Sequence, residues 1–361
     1  MKLRVLMILP MLTQALCAQP TEKSDTFPRS YVCQRATHPL NIDGKAEEDD
    51  WQKAAWSDLF IDIEGTGKPV PYYETRVKML WDDHYLYIMA MLKEEDLWAT
   101  YTTHDAVIYH ENDFEVFIDP DGDNHNYYEL EINALGTVWD LMLTKPYRDQ
   151  GIALDSWEIA GLKKGIHLDG TINNPGDKDN GWTIELALPW SVLKEAASDQ
   201  RPESKDVWRI NFSRVQWRIE NQDGVYVKKV NPENGKPYPE YNWVWSPQYV
   251  IAMHQPETWG YLHFSDAPAG TNNEVFTPDE NYETKLFLMT LYSAEHEYKN
   301  QKGAFTSQLS ELNVTVPKTM DIQKIKIYTT PSLFEISYKT INGETWHVNN
   351  EGKLWTTKRE L

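Results

Sequence analysis

Short runs of alternating apolar and polar residues, separated by Asp, Gly, Asn and Pro, dominate the chain from residue 36 to residue 266. A period of two is typical of strands with one buried face, and many short runs favour an all-β sandwich. We therefore predict an antiparallel β-sandwich, immunoglobulin-like or jelly-roll-like, at 36–266. Short helical turns are expected at 47–55 and at 190–197, the second directly after Pro189. The clearest strand candidates are 76–81, 85–90, 114–118, 128–132, 182–188 and 208–212.

The pattern changes after residue 266. Residues 267–280 are rich in Ala, Gly, Asn and Pro and are predicted to form a linker. Apolar residues then recur at helical spacing from 281 to 302, and Gly303 follows, which predicts a helix that ends there. Strand-like runs come next at 322–328, 333–338 and 345–348. The expected fold class is thus all-β, with a smaller α+β region at 281–361.

The amino-terminal residues have the pattern of an export signal. Basic residues precede an apolar run at 5–12, and small residues follow it. This pattern predicts a cleaved signal peptide at 1–18 and an extended polar leader at 19–35. Attachment of a lipid at Cys17 is the alternative, which the Leu16 before it disfavours. Because of this signal, we expect an exported protein, periplasmic or extracellular. We expect no membrane span, because no apolar run reaches the required length.

Charge and composition narrow the classes of function. The chain has 55 acidic and 35 basic residues, a formal net charge of −20, and such a surface repels nucleic acid and anionic membranes. With only 2 Cys, a disulfide scaffold or a thiolate zinc site is excluded. The sequence has no nucleophile elbow, no metalloprotease helix motif and no phosphate-binding loop, so we expect no nucleotide or organic cofactor. The 15 Trp residues suit both core packing and stacking on flat ligands.

An acidic hairpin between residues 114 and 133 is the sharpest local feature. Alternation predicts one apolar face, and an opposite face that carries Glu115, Phe117, Glu129 and Glu131. Three carboxylates on one face repel each other unless a cation, a network of sugar hydroxyls or an Arg compensates. Arg209 and Arg214 are the basic residues that we consider as neighbours.

The turn of this hairpin holds Asp119, Asp121 and Asp123 at alternate positions. Carboxylates at this spacing are the hard oxygen ligands that calcium loops use, so the turn is a candidate site for Ca²⁺. The full EF-hand pattern is missing, because Leu130 stands at the twelfth position. An ordinary Asp/Gly/Asn turn is the alternative.

An aromatic stretch at 238–261 combines Tyr and Trp with several prolines. Flat rings on a stiff loop suit the apolar C–H face of a pyranose. Packing of these rings in the core is the alternative, because Trp is usually highly buried.

Several motifs, in order between about 40 and 265, resemble carbohydrate-binding module family 9. They are Asn41-Ile42-Asp43-Gly44 with Trp51, 75–82 with Leu86-Tyr87, 112–119, 181–189, Asn211-Phe212 and Pro256 with 259–262. The resemblance implies a β-sandwich that binds plant cell-wall or related glycans, carries structural calcium and does not itself cleave sugar. The C-terminal residues after 267 lie outside it.

The resemblance also implies site residues. A stacking aromatic residue lies six positions before a hydrogen-bonding Glu in the family, and these positions hold Tyr109 and Glu115 here. An Arg of the family is replaced by Glu131, and its second stacking Trp falls near Met253, so Trp245 or Tyr249 has to supply the second ring. The candidate set for sugar binding is Tyr109, Glu115, Arg209, Asn211, Trp245 and Tyr249.

Our leading hypothesis is a secreted, non-catalytic protein that binds a xylan- or cellulose-like polysaccharide and assists carbohydrate catabolism beside glycan-degrading enzymes. One alternative is a glycoside hydrolase of O-glycosyl bonds, in which Glu115 pairs with Glu129 or Glu131 as acid and base.

A non-covalent haem-binding electron carrier is the other alternative, since related sandwiches bind haem through Met and His. Met253-His254 lies in the aromatic stretch, and no Cys-x-x-Cys-His motif is present for covalent attachment. Further histidines available as ligands are His84, His110 and His263.

Overall fold

The computed structural model of the protein describes residues 27–271 and 274–357. The predicted signal peptide at 1–18 and the first part of the predicted leader, 19–26, lie outside the described residues. Among the helices of the described ranges, none has the length and apolar character needed to cross a bilayer.

Within the described residues, thirteen strands form one hydrogen-bonded sheet, and two more form a separate hairpin, β12–β13. The strand order of the large sheet is β8-β7-β6-β5-β11-β15-β1-β3-β4-β10-β9, and β14 pairs with β11 and with β2. All pairings are antiparallel except those of β1, which runs parallel to β15 and β3. The strands in chain order are β1 Ser30–Arg35, β2 Ile61–Asp62, β3 Thr75–Trp81, β4 Tyr85–Lys93, β5 Asp113–Asp119, β6 Tyr127–Asn133, β7 Val138–Leu143, β8 Ala153–Leu154, β9 Lys163–Asp169, β10 Gly181–Pro189, β11 Val207–Gln216, β12 Ile219–Gln222, β13 Val225–Lys228, β14 Tyr241–Val244 and β15 Gly260–Pro268.

The two ends of the large sheet pack face to face around one core. Val116 of β5 and Ile132 of β6 belong to the same buried cluster as Met79 of β3, Ile88 of β4 and Ile184 of β10. Alternate side chains of each strand point into this cluster, as a period of two requires. The predicted antiparallel β-sandwich is therefore confirmed.

The beginning of the sandwich lies earlier than we predicted. The final residues of the predicted leader form β1, which lies between β15 and β3 with Cys33 fully buried. Tyr31 and Cys33 face the core, so the strand follows the same alternation as its neighbours. Its pairing with β15 joins distant parts of the chain, so the local pattern alone does not distinguish it from an extended leader.

The short helices lie within the ranges predicted for them. Helix α1 spans Asp49–Lys53, and helix α2 spans Trp190–Leu193, followed by a 3₁₀ turn at Lys194–Ala197. Pro189 precedes α2, where its missing N–H costs no helical hydrogen bond.

The C-terminal region, residues 281–357 as described, is a helix packed on a small sheet. Helix α3 spans Tyr282–Lys302, and Gly303 ends it in a left-handed conformation with φ of +86°. Its buried face, which includes Phe287 and Leu291, packs on Ile336 and Val348 of the sheet. This arrangement confirms the smaller α+β region. The four antiparallel strands of the sheet are β16 Ile325–Thr329, β17 Phe334–Lys339, β18 Thr345–Asn349 and β19 Leu354–Thr357.

The C-terminal region packs against the turn of the acidic hairpin. The Leu354 N–H donates to the Asp123 carbonyl at 3.0 Å. The buried Asn124 side chain donates to the Gly352 carbonyl at 3.0 Å. These two hydrogen bonds place residues 352–354 directly beside the predicted calcium turn.

Candidate functional site

The acidic face of the hairpin forms on β5 and β6 as the alternation predicts. Glu115 stands opposite Glu131, and Phe117 stands opposite Glu129. The three glutamates are only 2–5% exposed, and the Asp113 carboxylate approaches those of Glu115 and Glu131 to within 4.8 Å. We call this surface the acidic face. It is a cluster of buried carboxylates on one face of the hairpin.

Burial raises the pKa of every glutamate on the acidic face, and neighbouring negative charges raise it further. The pKa of Glu115 rises to about 7, mainly through burial, with a contribution from the charge of Glu240. The pKa values of Glu129 and Glu131 lie well above the usual range, through burial and then through the charge of Glu115. The cluster therefore holds protons near neutral pH and can both accept and donate hydrogen bonds.

The arginines that we considered as neighbours of these carboxylates have other partners. Arg214 is buried and lies 3.3 Å from the Glu94 carboxylate. Arg209 donates to the backbone carbonyls of Pro256 and Glu257. Neither arginine forms an ion pair with the acidic face in the described part of the chain. The negative charge of its carboxylates is therefore left to protons or to a ligand to neutralise.

Two exposed tyrosines flank the acidic face. Tyr109 is 39% exposed and Tyr147 is 48% exposed. Burial, and then the charges of neighbouring carboxylates that include Glu129 and Glu131, raise the pKa of both hydroxyls, that of Tyr147 to about 12. Tyr147 adjoins this surface through His254, against which its ring packs and whose Nε2 lies 4.0 Å from the Glu129 carboxylate.

Packing and backbone contacts hold Tyr109 in place. Its N–H donates to the Glu131 carboxylate at 2.8 Å, and its carbonyl accepts the Trp217 indole N–H at 2.9 Å. Its ring lies 6.3 Å from that of Trp139, with an angle of 29° between the planes. The predicted stacking residue is therefore anchored on the acidic face with its ring partly open to solvent.

Tyr147 is the residue of this site that sequence reasoning missed. It follows Pro146 in the loop after β7, the strand that pairs with β6. Its ring packs edge-on against His254 at a centroid distance of 4.5 Å. An aromatic residue in the loop next to an acidic strand is the signal that could have identified it. Tyr147, and not Trp245 or Tyr249, is the second exposed aromatic residue beside the acidic face.

Two of the predicted sugar-binding residues are structural, which corrects those predictions. Trp245 is 1% exposed and belongs to the sandwich core, with its ring packed against Gly260. Asn211 is fully buried; its side chain donates to the Ser246 carbonyl at 2.8 Å and accepts the Ser246 N–H at 2.9 Å. Neither side chain has a surface open to a sugar.

Arg209 and Tyr249 lie at a different place from the acidic face. Both line a cavity of about 710 Å³ between the sandwich and helix α3. The Arg209 guanidinium lies 4.0 Å from the ring centroid of Tyr261 and donates to the Glu257 carbonyl at 2.6 Å. The structure therefore places these two predicted residues together, but away from Tyr109.

The acidic turn brings its three aspartates together. Carboxylate oxygens of Asp119, Asp121 and Asp123 lie within 4.8 Å of one another. Burial and mutual repulsion raise the pKa of Asp119 well above its usual range and that of Asp121 to about 6. The Asn124 N–H donates to Asp119, and the Lys353 ammonium lies 2.9 Å from Asp123. The donor set is of the kind that Ca²⁺ prefers, and Lys353 of the C-terminal region competes with such an ion for Asp123.

Met253 and His254 lie beside Tyr147, near the acidic face. The Met253 sulfur accepts the side-chain N–H of Gln248 at 2.9 Å. The His254 Nδ1 lies 3.0 Å from the Tyr127 hydroxyl, and burial lowers the pKa of His254 to about 4. Both side chains are thus engaged with protein partners behind Tyr147.

Comparison with known proteins matches the part of the chain that contains the acidic face. Residues 42–204 match the family described as Carbohydrate family 9 binding domain-like. The resemblance to family 9 is confirmed for these residues, which include Tyr109, Tyr147 and the three glutamates of the acidic face. The match supports carbohydrate binding as the class of function. No curated protein matches the chain.

Solved structures with a similar fold have low sequence identity to this chain. A candidate carbohydrate-binding protein from Bacteroides uniformis is 17% identical, with a TM-score of 0.47 over 66% of this chain and 100% of that one. A family 9 carbohydrate-binding module from Caldicellulosiruptor kristjanssonii in complex with cellotriose is 14% identical, with a TM-score of 0.39 over 70% of this chain and 99% of that one. The glucose complex of a family 9 module from that organism has the same identity and TM-score, over 68% of this chain and 98% of that one.

Proposed function

We propose that this chain is a non-catalytic carbohydrate-binding protein and that its ligand site is the acidic face between Tyr109 and Tyr147. One observation carries the proposal: two exposed tyrosines adjoin the buried carboxylates. The Tyr109 N–H donates to Glu131, and Tyr147 packs on His254, whose Nε2 lies 4.0 Å from the Glu129 carboxylate. An aromatic ring covers the apolar C–H face of a pyranose, while the carboxyl groups accept hydrogen bonds from its hydroxyls or, when protonated, donate to them. The family match over 42–204 supports the same class.

The proposed ligand is a neutral polysaccharide of the plant cell-wall type, such as a xylan- or cellulose-like chain. Neutral hydroxyls can donate hydrogen bonds to Glu115, Glu129 and Glu131. A glycan that carries uronate groups would meet repulsion, because the acidic face has no arginine or lysine to neutralise a carboxylate in the described residues. The chain as a whole is also strongly acidic, at −20.

The wider proposal places this binding outside the cytoplasm. The predicted signal at 1–18 would direct export, and the bound polysaccharide would be the substrate of glycan-degrading enzymes acting beside this protein. Calcium, held by Asp119, Asp121 and Asp123, would neutralise the acidic turn as a structural ion.

Calorimetric titration of the full chain with cello- and xylo-oligosaccharides tests the sugar site. We expect Tyr109→Ala and Tyr147→Ala each to weaken binding roughly tenfold, because each removes a stacking ring worth about 1–2 kcal/mol. Tyr328→Ala is the matched control, since Tyr328 is 59% exposed on β16 of the C-terminal region. The proposal fails if no neutral oligosaccharide binds, or if the Tyr109→Ala, Tyr147→Ala double variant binds as the unmodified protein does.

A further inference from the structure

A histidine and three carboxylates meet at a second place on the sandwich. His104 and Asp105 precede β5, Asp140 lies on β7, and Glu158 follows β8. The His104 Nε2 lies 3.0 Å from Glu158, 3.4 Å from Asp105 and 3.9 Å from Asp140, measured to a carboxylate oxygen in each case. His104, Asp140 and Glu158 also line a cavity of about 240 Å³. Three separate segments of the chain therefore present metal-ligating atoms to one point.

The ring of His104 is fixed by two contacts: its Nε2 lies 3.0 Å from a Glu158 carboxylate oxygen, and its Nδ1 faces a backbone carbonyl. Its Nδ1 lies 3.1 Å from the Val138 carbonyl, to which it can donate its proton. A histidine that binds a metal through one ring nitrogen almost always donates the other N–H to a carbonyl or carboxylate, which sets the tautomer and the ring orientation. The Nε2 of His104 is then the atom directed at the three carboxylates.

Asp140 supplies an independent observation that points to a ligand. One of its oxygens accepts the Ile159 N–H. The other, Oδ1, is buried without a hydrogen-bond partner among the described residues, although the side chain is only 3% exposed. A buried carboxylate oxygen that lacks a partner is costly, and such groups in folded proteins are usually explained by a water or an ion. The unpartnered atom is the same Oδ1 that faces the His104 Nε2.

We propose that His104, Asp105 and Asp140 bind one divalent transition-metal ion, with Glu158 beside the His104 Nε2 as a further ligand; Zn²⁺ is the best match. Zinc binds imidazole nitrogen and carboxylate oxygen at about 2.0–2.2 Å, so two ligands of a tetrahedral ion stand roughly 3.4 Å apart. The separations of 3.0, 3.4 and 3.9 Å bracket that value.

The donor chemistry distinguishes this site from the acidic turn. Calcium and magnesium take oxygen ligands, and an imidazole nitrogen at the centre of the cluster favours zinc instead. The ion would also tie the segment that leads to Tyr109 to strand β7. By linkage, an ion that binds only the folded state raises its stability.

Titration of the untagged full chain with ZnCl₂, in buffer that contains excess Ca²⁺ to occupy the all-oxygen sites, tests the proposal. We expect one equivalent of Zn²⁺ to bind, and we expect His104→Gln and Glu158→Gln each to weaken binding at least tenfold. Glu158 is 53% exposed, so its substitution does not threaten folding. Asp140→Asn is expected to have the same effect, provided that its circular dichroism matches that of the unmodified protein.

His347→Gln is the matched control. The His347 Nδ1 lies 2.9 Å from Glu335, so this residue forms a histidine–carboxylate pair without a second acidic partner among the described residues. Its substitution should leave zinc affinity unchanged, and anomalous diffraction at the zinc edge should place the ion beside the His104 Nε2. The proposal is overturned if Zn²⁺ does not bind, if His104→Gln and Glu158→Gln bind it as tightly as the control, or if the anomalous peak lies elsewhere.

Discussion

Glu115 and Glu131 stand directly opposite each other on antiparallel strands, and both are almost completely buried. Like charges in directly opposite positions destabilise a pair of strands, and burial in low dielectric adds to the penalty. The pair persists because the sandwich core on the other face of β5 and β6 holds the two strands together. The acidic face is thus a local instability that protons, or the hydroxyls of a ligand, can relieve.

The stability of the protein should fall as the pH rises from about 4.5 to about 7. The pKa of Glu115 is raised from 4.5 to about 7 in the folded state, so the folded state binds a proton more tightly than the unfolded state over this range. We therefore expect a lower Tm at pH 8 than at pH 5.5. Glu131→Gln should raise the Tm at pH 8 by on the order of 3 °C and have a smaller effect at pH 5.5.

Calorimetry at both pH values measures this effect. The side-chain amide that Glu131→Gln introduces would keep an oxygen for the Tyr109 N–H, so the hydrogen bond at this position survives the substitution. Glu220→Gln, at an exposed position on β12, is the control and should change neither Tm by a comparable amount. A Tm of Glu131→Gln that does not rise at pH 8, or that changes equally at pH 5.5 and pH 8, would contradict the prediction.

Substitution of Trp245 should affect folding rather than sugar binding. The ring fills the sandwich core, so Trp245→Ala is expected to lower the free energy of unfolding by about 3–5 kcal/mol. Trp245→Phe should cost less and leave oligosaccharide affinity unchanged. Chemical denaturation and calorimetric titration measure the two effects separately. A Trp245→Phe variant that keeps its stability but loses sugar affinity would restore Trp245 to the ligand site.

Lys353 should weaken calcium binding at the acidic turn. Its ammonium lies 2.9 Å from the Asp123 carboxylate and would compete with an incoming cation. We expect Lys353→Met to tighten Ca²⁺ binding roughly tenfold, equivalent to about 1.4 kcal/mol, when measured by calorimetric titration. Lys326→Met, at an exposed position on β16, is the matched control. Unchanged affinity in Lys353→Met, or an absence of calcium binding in both proteins, would show that the turn is an ordinary one.

Much of the fold was predictable because its determinants are local. The alternation of β5 and β6 indicates which residues share a face, and the register confirms that Glu115, Glu129 and Glu131 do so. The helical spacing that ends at Gly303 likewise predicts helix α3. Strand β1 was missed because its pairing with β15 joins residues more than two hundred positions apart, which a local pattern does not reveal.

The candidate site was less predictable, because an aromatic residue has the same sequence signature in a core and on a binding surface. Trp245 and Tyr147 both lie near prolines, yet the first is packed in the sandwich and the second is 48% exposed. Only the pairing of β6 with β7 carries Tyr147 to the acidic face. The sequence likewise does not predict that residues 352–354 pack on the acidic turn, because these contacts join distant segments.

The sequence by itself determined the strand periodicity, the acidic face of the hairpin and the α+β character of the C-terminal region, because each follows from side chains a few positions apart. Only the tertiary structure decided which aromatic rings remain open to a ligand, which basic groups reach the carboxylates, and that His104 meets Asp140 and Glu158. These relationships depend on contacts between distant segments, and burial and charge at each position follow from those contacts.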